Sequence, residues 1–307
     1  MGRESSPAAG VHAWHEGNIP GPGGVPIHFR KLGNGRRGLL IPNAAWLARD
    51  LESLAGDRLE DRTVVFYDPR GRGNSGPMAD KTQATLDGEL EDLDLVRCHC
   101  ELDQVVLFGW SLHGGVVANY AIRHPDVVVR MALCGPLAPR RVPYSEQGAA
   151  TLQSRLDMTA IGNFMKSPPA DPAEASKAWN AIVLRGYFAA NGAYARSIPR
   201  PRESENERPR NVAGHVNAIM ASLGDWDWRA EAAGYGGPVL IVHGDGDWNP
   251  LDGSREWQAS FPKARLAVVP NAGHFIWLEQ PEAFFGMMEP FLGDGQLEGW
   301  SWPEAVV

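Results

Sequence analysis

An α/β fold, with a mostly parallel central sheet flanked by helices and a helical cap insertion, is predicted by three features of the 307-residue sequence. Short β-branched or aromatic runs alternate with amphipathic segments, as strands feeding helices do in a parallel sheet. One junction, Val105 to Pro125 (VVLFGWSLHGGVVANYAIRHP), passes from a buried-strand pattern through a glycine-flanked serine into a helical pattern. From Pro139 to about Arg229 the strand-type runs give way to helical patterns and clustered prolines, and strand-type runs resume at Pro238.

Taken in order, residues 1–17 are small and polar and read as an N-terminal arm. Gly17 to Phe29 alternates turn and apolar residues, as an antiparallel hairpin at a sheet edge does, and Gly33-Asn34-Gly35 marks a turn. Gly38 to Ile41 and Thr63 to Tyr67 are buried strands, with a helix at Trp46 to Ala55 between them. The loop Asp68-Pro69-Arg70-Gly71-Arg72-Gly73-Asn74-Ser75-Gly76 contains G-x-G-x-x-G, the dinucleotide fingerprint. Pro77 and further turn residues follow where that fingerprint needs a helix, so the loop is read as bracing the carboxyl edge of the sheet. Thr85 to Arg97 is an amphipathic helix with Leu86, Leu90, Leu93 and Val96 on one face and acids on the other. Cys98-His99-Cys100 lacks the second ligand pair of a zinc site and reads as the end of that helix.

Val127 to Leu133 is the next strand, followed by helical patterns at Glu146 to Met158, Ala173 to Phe188 and Asn211 to Leu223. Pro238 to His243 and Arg265 to Val269 complete the sheet, with helices at Ser254 to Ser260 and Pro281 to Phe291. The expected organisation is a core of residues 18–138 and 231–295, a helical cap of 139–230, and a tail of 296–307 whose Trp300 and Trp302 have no evident role. Within the cap, Arg200 to Pro209 reads as a solvated loop, with Glu203, Glu205 and Glu207 as the alternative cleft-facing residues.

A net charge of −8 leaves no dominant basic surface for nucleic acid. No apolar run is long enough to span a bilayer, and the start MGRESSPAAGVHAW lacks the apolar core of a secretory signal. Met1 to Ser6 fits the loose myristoylation pattern, but one acyl chain binds membranes marginally. Three cysteines suit a reducing compartment. The expectation is a cytoplasmic protein with a small-molecule substrate, no nucleic-acid or membrane partner, and an oligomeric state the sequence leaves open.

The chemistry resides in three loops. A serine on a sharp strand-to-helix turn is held with its hydroxyl thrust out of the sheet, and its neighbours are ordinarily glycine. Gly109-Trp110-Ser111-Leu112-His113-Gly114 has this form, with His113 where G-x-S-x-G has its last glycine. A serine hydroxyl needs a base to take its proton, and the base needs a carboxylate to fix its tautomer. His274 lies on the loop after the last strand, whereas His243 lies on a strand, His124 ends the helix after Ser111, and His113 sits in tight packing. For the carboxylate, Asp247 is the leading candidate, with Asp245 and Asp252 as alternatives on the same loop. Acyl transfer also needs donors for a developing oxyanion, here the backbone N–H groups of Leu112 and, by position, Ala44. Asn43 is placed to add a side-chain N–H. Trp46, Trp110, Trp248 and Trp277 lie near these loops and suggest an aromatic-lined substrate pocket.

Across roughly residues 25 to 292 the chain resembles the α/β-hydrolase superfamily and is similar in particular to its proline iminopeptidase-like branch. The resemblance rests on Gly24 to Phe29, Asp68 to Gly76, the Ser111 turn through His124-Pro125, Gly244 to Asp247, and Gly273-His274 with Glu279-Gln280-Pro281. It implies an α/β-hydrolase fold with Ser111 as nucleophile, Asp247 as acid, His274 as base, and the Leu112 and Ala44 amides as oxyanion hole. Two departures lie beside the reacting centre: His113 for glycine, and Pro42-Asn43 for the usual His-Gly. The expected activity is a serine hydrolase that cleaves a small ester, lactone or amide, aminopeptidase-like substrates included, through an acyl-enzyme on Ser111. The alternatives are a non-hydrolytic lyase, acyltransferase or cyclase on the same fold, and a binding protein without chemistry. No metal or organic cofactor is implied, because the triad is chemically complete without one.

Overall fold

A computed structural model describes residues 13–55, 62–189 and 209–293. The expected arm at 1–12, the Arg200–Arg208 stretch with its three glutamates, and the tail from 294 onward lie outside the described residues. Eight strands form one sheet in the order β1-β2-β4-β3-β5-β6-β7-β8. They are β1 (His15–Pro20), β2 (Pro26–Gly33), β3 (Arg37–Pro42), β4 (Arg62–Tyr67), β5 (Gln104–Trp110), β6 (Val128–Cys134), β7 (Val239–Gly244) and β8 (Ala264–Val269). β1 and β2 pair antiparallel, as do β2 and β4, and every other pairing is parallel. β1 begins at His15, inside the segment expected to be an arm.

Because successive side chains on a strand point to opposite faces, both faces of this sheet are apolar. Val64 and Phe66 of β4 join one buried cluster with Phe108 and Trp110 of β5, while Val65 and Tyr67 join another with Val105 and Leu107. Helices α1 (Ala44–Leu51) and Pro281–Leu292 cover the first face, and α2 (Leu86–His99), α3 (Leu112–Arg123) and Leu251–Ser260 cover the second. A parallel sheet covered in this way opens its loops at the carboxyl ends of the strands, where ligands of such folds bind.

Thr85 caps α2 by accepting from the Gly88 N–H, which sets the helix start where the sequence places it. Its acidic face differs from expectation. Glu89 and Asp92 are buried, each against an arginine of the loop after β4: Arg72 pairs with Glu89, and Arg70 Nη2 lies 2.7 Å from Asp92 Oδ1. That loop has no dinucleotide-type helix; after Gly76 a short 3₁₀ turn at Lys81–Gln83 precedes α2. Asp68 ties it to the sheet edge by accepting from the Ala45 and Asn74 N–H groups at 2.8 and 3.0 Å.

Between β6 and β7 the described chain is helical: α4 (Tyr144–Arg155), α5 (Met158–Lys166), α6 (Pro172–Val183), a 3₁₀ turn at Leu184–Tyr187, and α7 (Pro209–Leu223). The helix expected at Glu146 to Met158 ends at Arg155, and an unexpected second helix, α5, begins at Met158, where Asp157 accepts from the Ala160 N–H.

Candidate active site

Three sheet-edge loops meet at the carboxyl ends of β5, β7 and β8. Ser111 follows β5 directly and has φ 58° and ψ −125°, a strained backbone for a side chain larger than glycine's. Neighbouring chain holds it there: the Ser111 N–H donates to the Cys134 carbonyl at 3.0 Å, and its own carbonyl accepts from Gly114 and Leu137 at 2.9 Å each. A Cβ on Gly109 would come within 2.4 Å of the His113 carbonyl oxygen and 2.5 Å of Val117, and one on Gly114 within 2.6 Å of Pro136. These are the close approaches that demand glycine. Position 113 lies in the first turn of α3 without a positive φ, so it accepts a side chain.

That side chain is buried in a charge cluster. His113 Nε2 lies 3.3 Å from Arg72 Nη1 and 3.5 Å from Glu89 Oε2. Burial pushes the imidazole pKa down. Burial alone would push the Glu89 carboxyl up, but the Arg72 guanidinium and His113 outweigh it and hold it at about 2.

His274 lies on the loop after β8 and is fully buried, and its Nδ1 is 2.8 Å from Asp247 Oδ2 and 3.0 Å from Oδ1. Its Nε2 is buried and has no hydrogen-bond partner among the described residues. Burial raises the Asp247 carboxyl, but His274, His243 and the Asn249 N–H together hold it below the usual carboxylate range. Both residues reach the Ser111 turn through Gly135, the residue after Cys134. A Cβ there would stand 2.9 Å from Asp247 Oδ2 and 3.1 Å from His274 Nδ1. The indole Nε1 of Trp110, the residue before Ser111, donates to the His274 carbonyl at 2.9 Å.

The alternatives are occupied elsewhere. Asp245 is exposed, and Asp252 pairs with Arg255 at 2.7 Å. His243 Nε2 lies 2.9 Å from the Asn249 carbonyl, which can only accept, so Nε2 carries the proton and Nδ1 accepts from Ser254 Oγ at 2.8 Å. His124 stacks near Tyr120 with ring centroids 4.4 Å apart.

Ala44 opens α1 and Leu112 opens α3, and neither N–H donates to any described residue. Asn43, between β3 and α1, has φ 72° and ψ 49°. A cavity of about 520 Å³ lies over this centre, bordered by Asn43, Trp46, Trp110, Ser111, Leu112 and Trp248 from the loops and by Tyr144, Leu152, Trp179, Tyr187, Val216 and Met220 from the helical segment. Trp277 does not reach it. It is buried beneath, edge-on to Trp110 at 5.4 Å, with its Nε1 on Asp50.

Several contacts have no counterpart in the sequence reading. Tyr187 accepts the His274 N–H on its carbonyl at 2.6 Å, Arg155 of α4 donates to the Gly246 carbonyl at 2.9 Å, and Asn249 Nδ2 donates to the Pro136 carbonyl at 2.6 Å. Glu279 accepts from the Gly273 and Ala189 N–H groups, tying the His274 loop to the helical segment. The Glu279–Ala189 contact and the first three join residues more than eighty apart in sequence, with no local signal.

This open, mostly parallel sheet, with a left-handed serine where β5 turns into α3, defines the α/β-hydrolase fold. The chain belongs to the Alpha/beta hydrolase family, whose model matches residues 33–286. It is 30% identical over 196 residues to the pimeloyl-[acyl-carrier protein] methyl ester esterase of Aromatoleum aromaticum, covering 59% of this chain and 70% of that protein. It is 22% identical over 246 residues to the proline iminopeptidase of Heyndrickxia coagulans, covering 76% and 82%. Among solved structures, the esterase of Exiguobacterium antarcticum superposes with a TM-score of 0.64 at 20% identity, over 90% of this chain and 98% of that one, a likeness of fold. Among the described residues, no helix is long and apolar enough to cross a membrane.

Proposed function

We propose that the protein is a serine hydrolase that cleaves a small uncharged ester, lactone or amide with an apolar acyl or aryl group, through an acyl-enzyme on Ser111. The observation that carries this reading is the buried His274–Asp247 pair, bonded at 2.8 Å through Nδ1, with Nε2 lacking a partner among the described residues and the His274 ring packed on Trp110, the residue before Ser111. Ser111 Oγ attacks the carbonyl carbon while His274 Nε2 takes its proton. The carbonyl electron pair moves onto oxygen, and the Ala44 and Leu112 N–H groups receive the charge. Collapse returns the pair, breaks the bond to the leaving group, and transfers the proton from His274 to it. Water then repeats the sequence on the acyl-enzyme.

The helical segment over the sheet acts as the cap. Aliphatic and aromatic side chains make up most of the described cavity wall, with Arg72 and His113 also bordering it. An ester-like substrate with an apolar group, as in the name of the esterase relative, suits this wall.

A fluorophosphonate should label the intact protein once per chain, with the label mapped to Ser111 and absent from Ser111→Ala. Turnover in ¹⁸O-water should place solvent oxygen in the acid product, which a transferase or cyclase would not do. A folded protein that takes up no label would refute the acyl-enzyme.

A further inference from the structure

We infer that the Asn43 carboxamide is a third hydrogen-bond donor to the oxyanion, beside the Ala44 and Leu112 amides; the inference rests on the acyl-enzyme reading above. Asn43 is the N-cap residue of α1, a place where an asparagine side chain ordinarily turns back to accept a helix N–H. Here it makes no such bond. The Ala45 N–H, one of the amides it would serve, is taken instead by Asp68 Oδ1 at 2.8 Å. Asp68 therefore does the capping and releases the Asn43 side chain.

The released side chain stays in the wall of the cavity. Asn43 is 9% exposed and borders the cavity that Ser111 and Leu112 also border. Its side chain has no hydrogen bond to any described residue. A carboxamide that lines a mostly apolar cavity and has no partner among the described residues gains from a ligand oxygen that accepts from it. Asn43 directly precedes Ala44 and shares the cavity wall with Ser111 and Leu112, which brings its donors to the cavity where the carbonyl reacts.

In the addition step the Ser111 Oγ–carbon bond forms, the carbonyl π pair moves to oxygen, and the hydroxyl proton passes to His274 Nε2. Asn43 donates a hydrogen bond to that oxygen and transfers no proton. The charge it meets is larger in the transition state than in the bound ester, so its contribution belongs in kcat more than in KM.

The rival explanation is conformational: asparagine tolerates a left-handed backbone better than most residues, and Asn43 has φ 72°. Asn43→Gly separates the two, because glycine suits that backbone at least as well while removing the carboxamide. With p-nitrophenyl hexanoate as the probe, kcat of Asn43→Gly should fall about 10²-fold, the scale seen when one oxyanion donor is removed. KM should change less than about 3-fold, and affinity for a trifluoromethyl ketone should fall in step with kcat/KM. The thermal midpoint should hold or rise. A kcat within about 2-fold of wild type, with Ser111→Ala inactive, overturns the role of Asn43 and leaves the acyl-enzyme reading standing. Hydrolysis that survives Ser111→Ala undiminished overturns both.

Discussion

Exchanging Asp247 for asparagine is expected to lower kcat for ester hydrolysis by about 10⁴-fold while leaving the protein folded. The carboxylate accepts from His274 Nδ1 at 2.8 Å and, held below the usual carboxylate range, stays ionised throughout the neutral region. It thereby keeps the ring proton on Nδ1 and leaves the Nε2 lone pair free, the site at which the proposed mechanism takes up the Ser111 proton. An asparagine can turn its NH₂ to Nδ1, which moves the proton to Nε2 and blocks uptake of the serine proton. Ser111→Ala should lose about 10⁶-fold, and the double variant should lose no more than that, because the groups act as one unit. Single-turnover kinetics on the same ester would measure all three. An Asp247→Asn enzyme that keeps a tenth of its kcat would remove Asp247 from the reacting unit.

Most of the sheet was legible because its strands are short and apolar on both faces, so Val105 to Phe108 or Pro238 to His243 stands out against any helical pattern. The order of Ser111, Asp247 and His274 was legible for a related reason. Each follows such a strand at its carboxyl end, and a parallel sheet puts those ends along one edge. What stayed hidden depends on partners distant in sequence. Glu89 and Asp92 look like the solvated side of α2, since periodicity weighs side chains on the helix alone and cannot register arginines delivered by the loop after β4. Trp277 falls beside His274 in sequence, but the turn at Ile276–Glu279 sends its indole into the core to meet Asp50. The split between α4 and α5 carried a readable signal in Asp157, an N-cap residue without a glycine or proline to announce it.

The buried acid of α2 leads to the largest expected change in stability. Glu89 is 2% exposed, and its carboxylate faces Arg72 and His113. Glu89→Gln would leave the Arg72 guanidinium in a buried site without its anion, a loss of about 3–5 kcal/mol at pH 7. The acid dependence follows from the same pair. The carboxyl titrates near 2 in the folded protein against an ordinary 4.5, so the unfolded chain binds the proton more readily. Its stabilisation is therefore complete above about pH 4.5 and is lost as pH falls toward 2, a span equivalent to about 3 kcal/mol. Urea midpoints taken from pH 7 down to pH 3 should show wild type losing ground on Glu89→Gln below pH 4.5, so that the two curves converge. Replacing both partners, as Glu89→Gln with Arg72→Met, should recover much of the loss at pH 7, because an apolar residue in place of an unmatched charge removes the burial penalty. Parallel curves, or a single variant within about 1 kcal/mol of wild type at pH 7, would mean that water or another group already compensates Arg72.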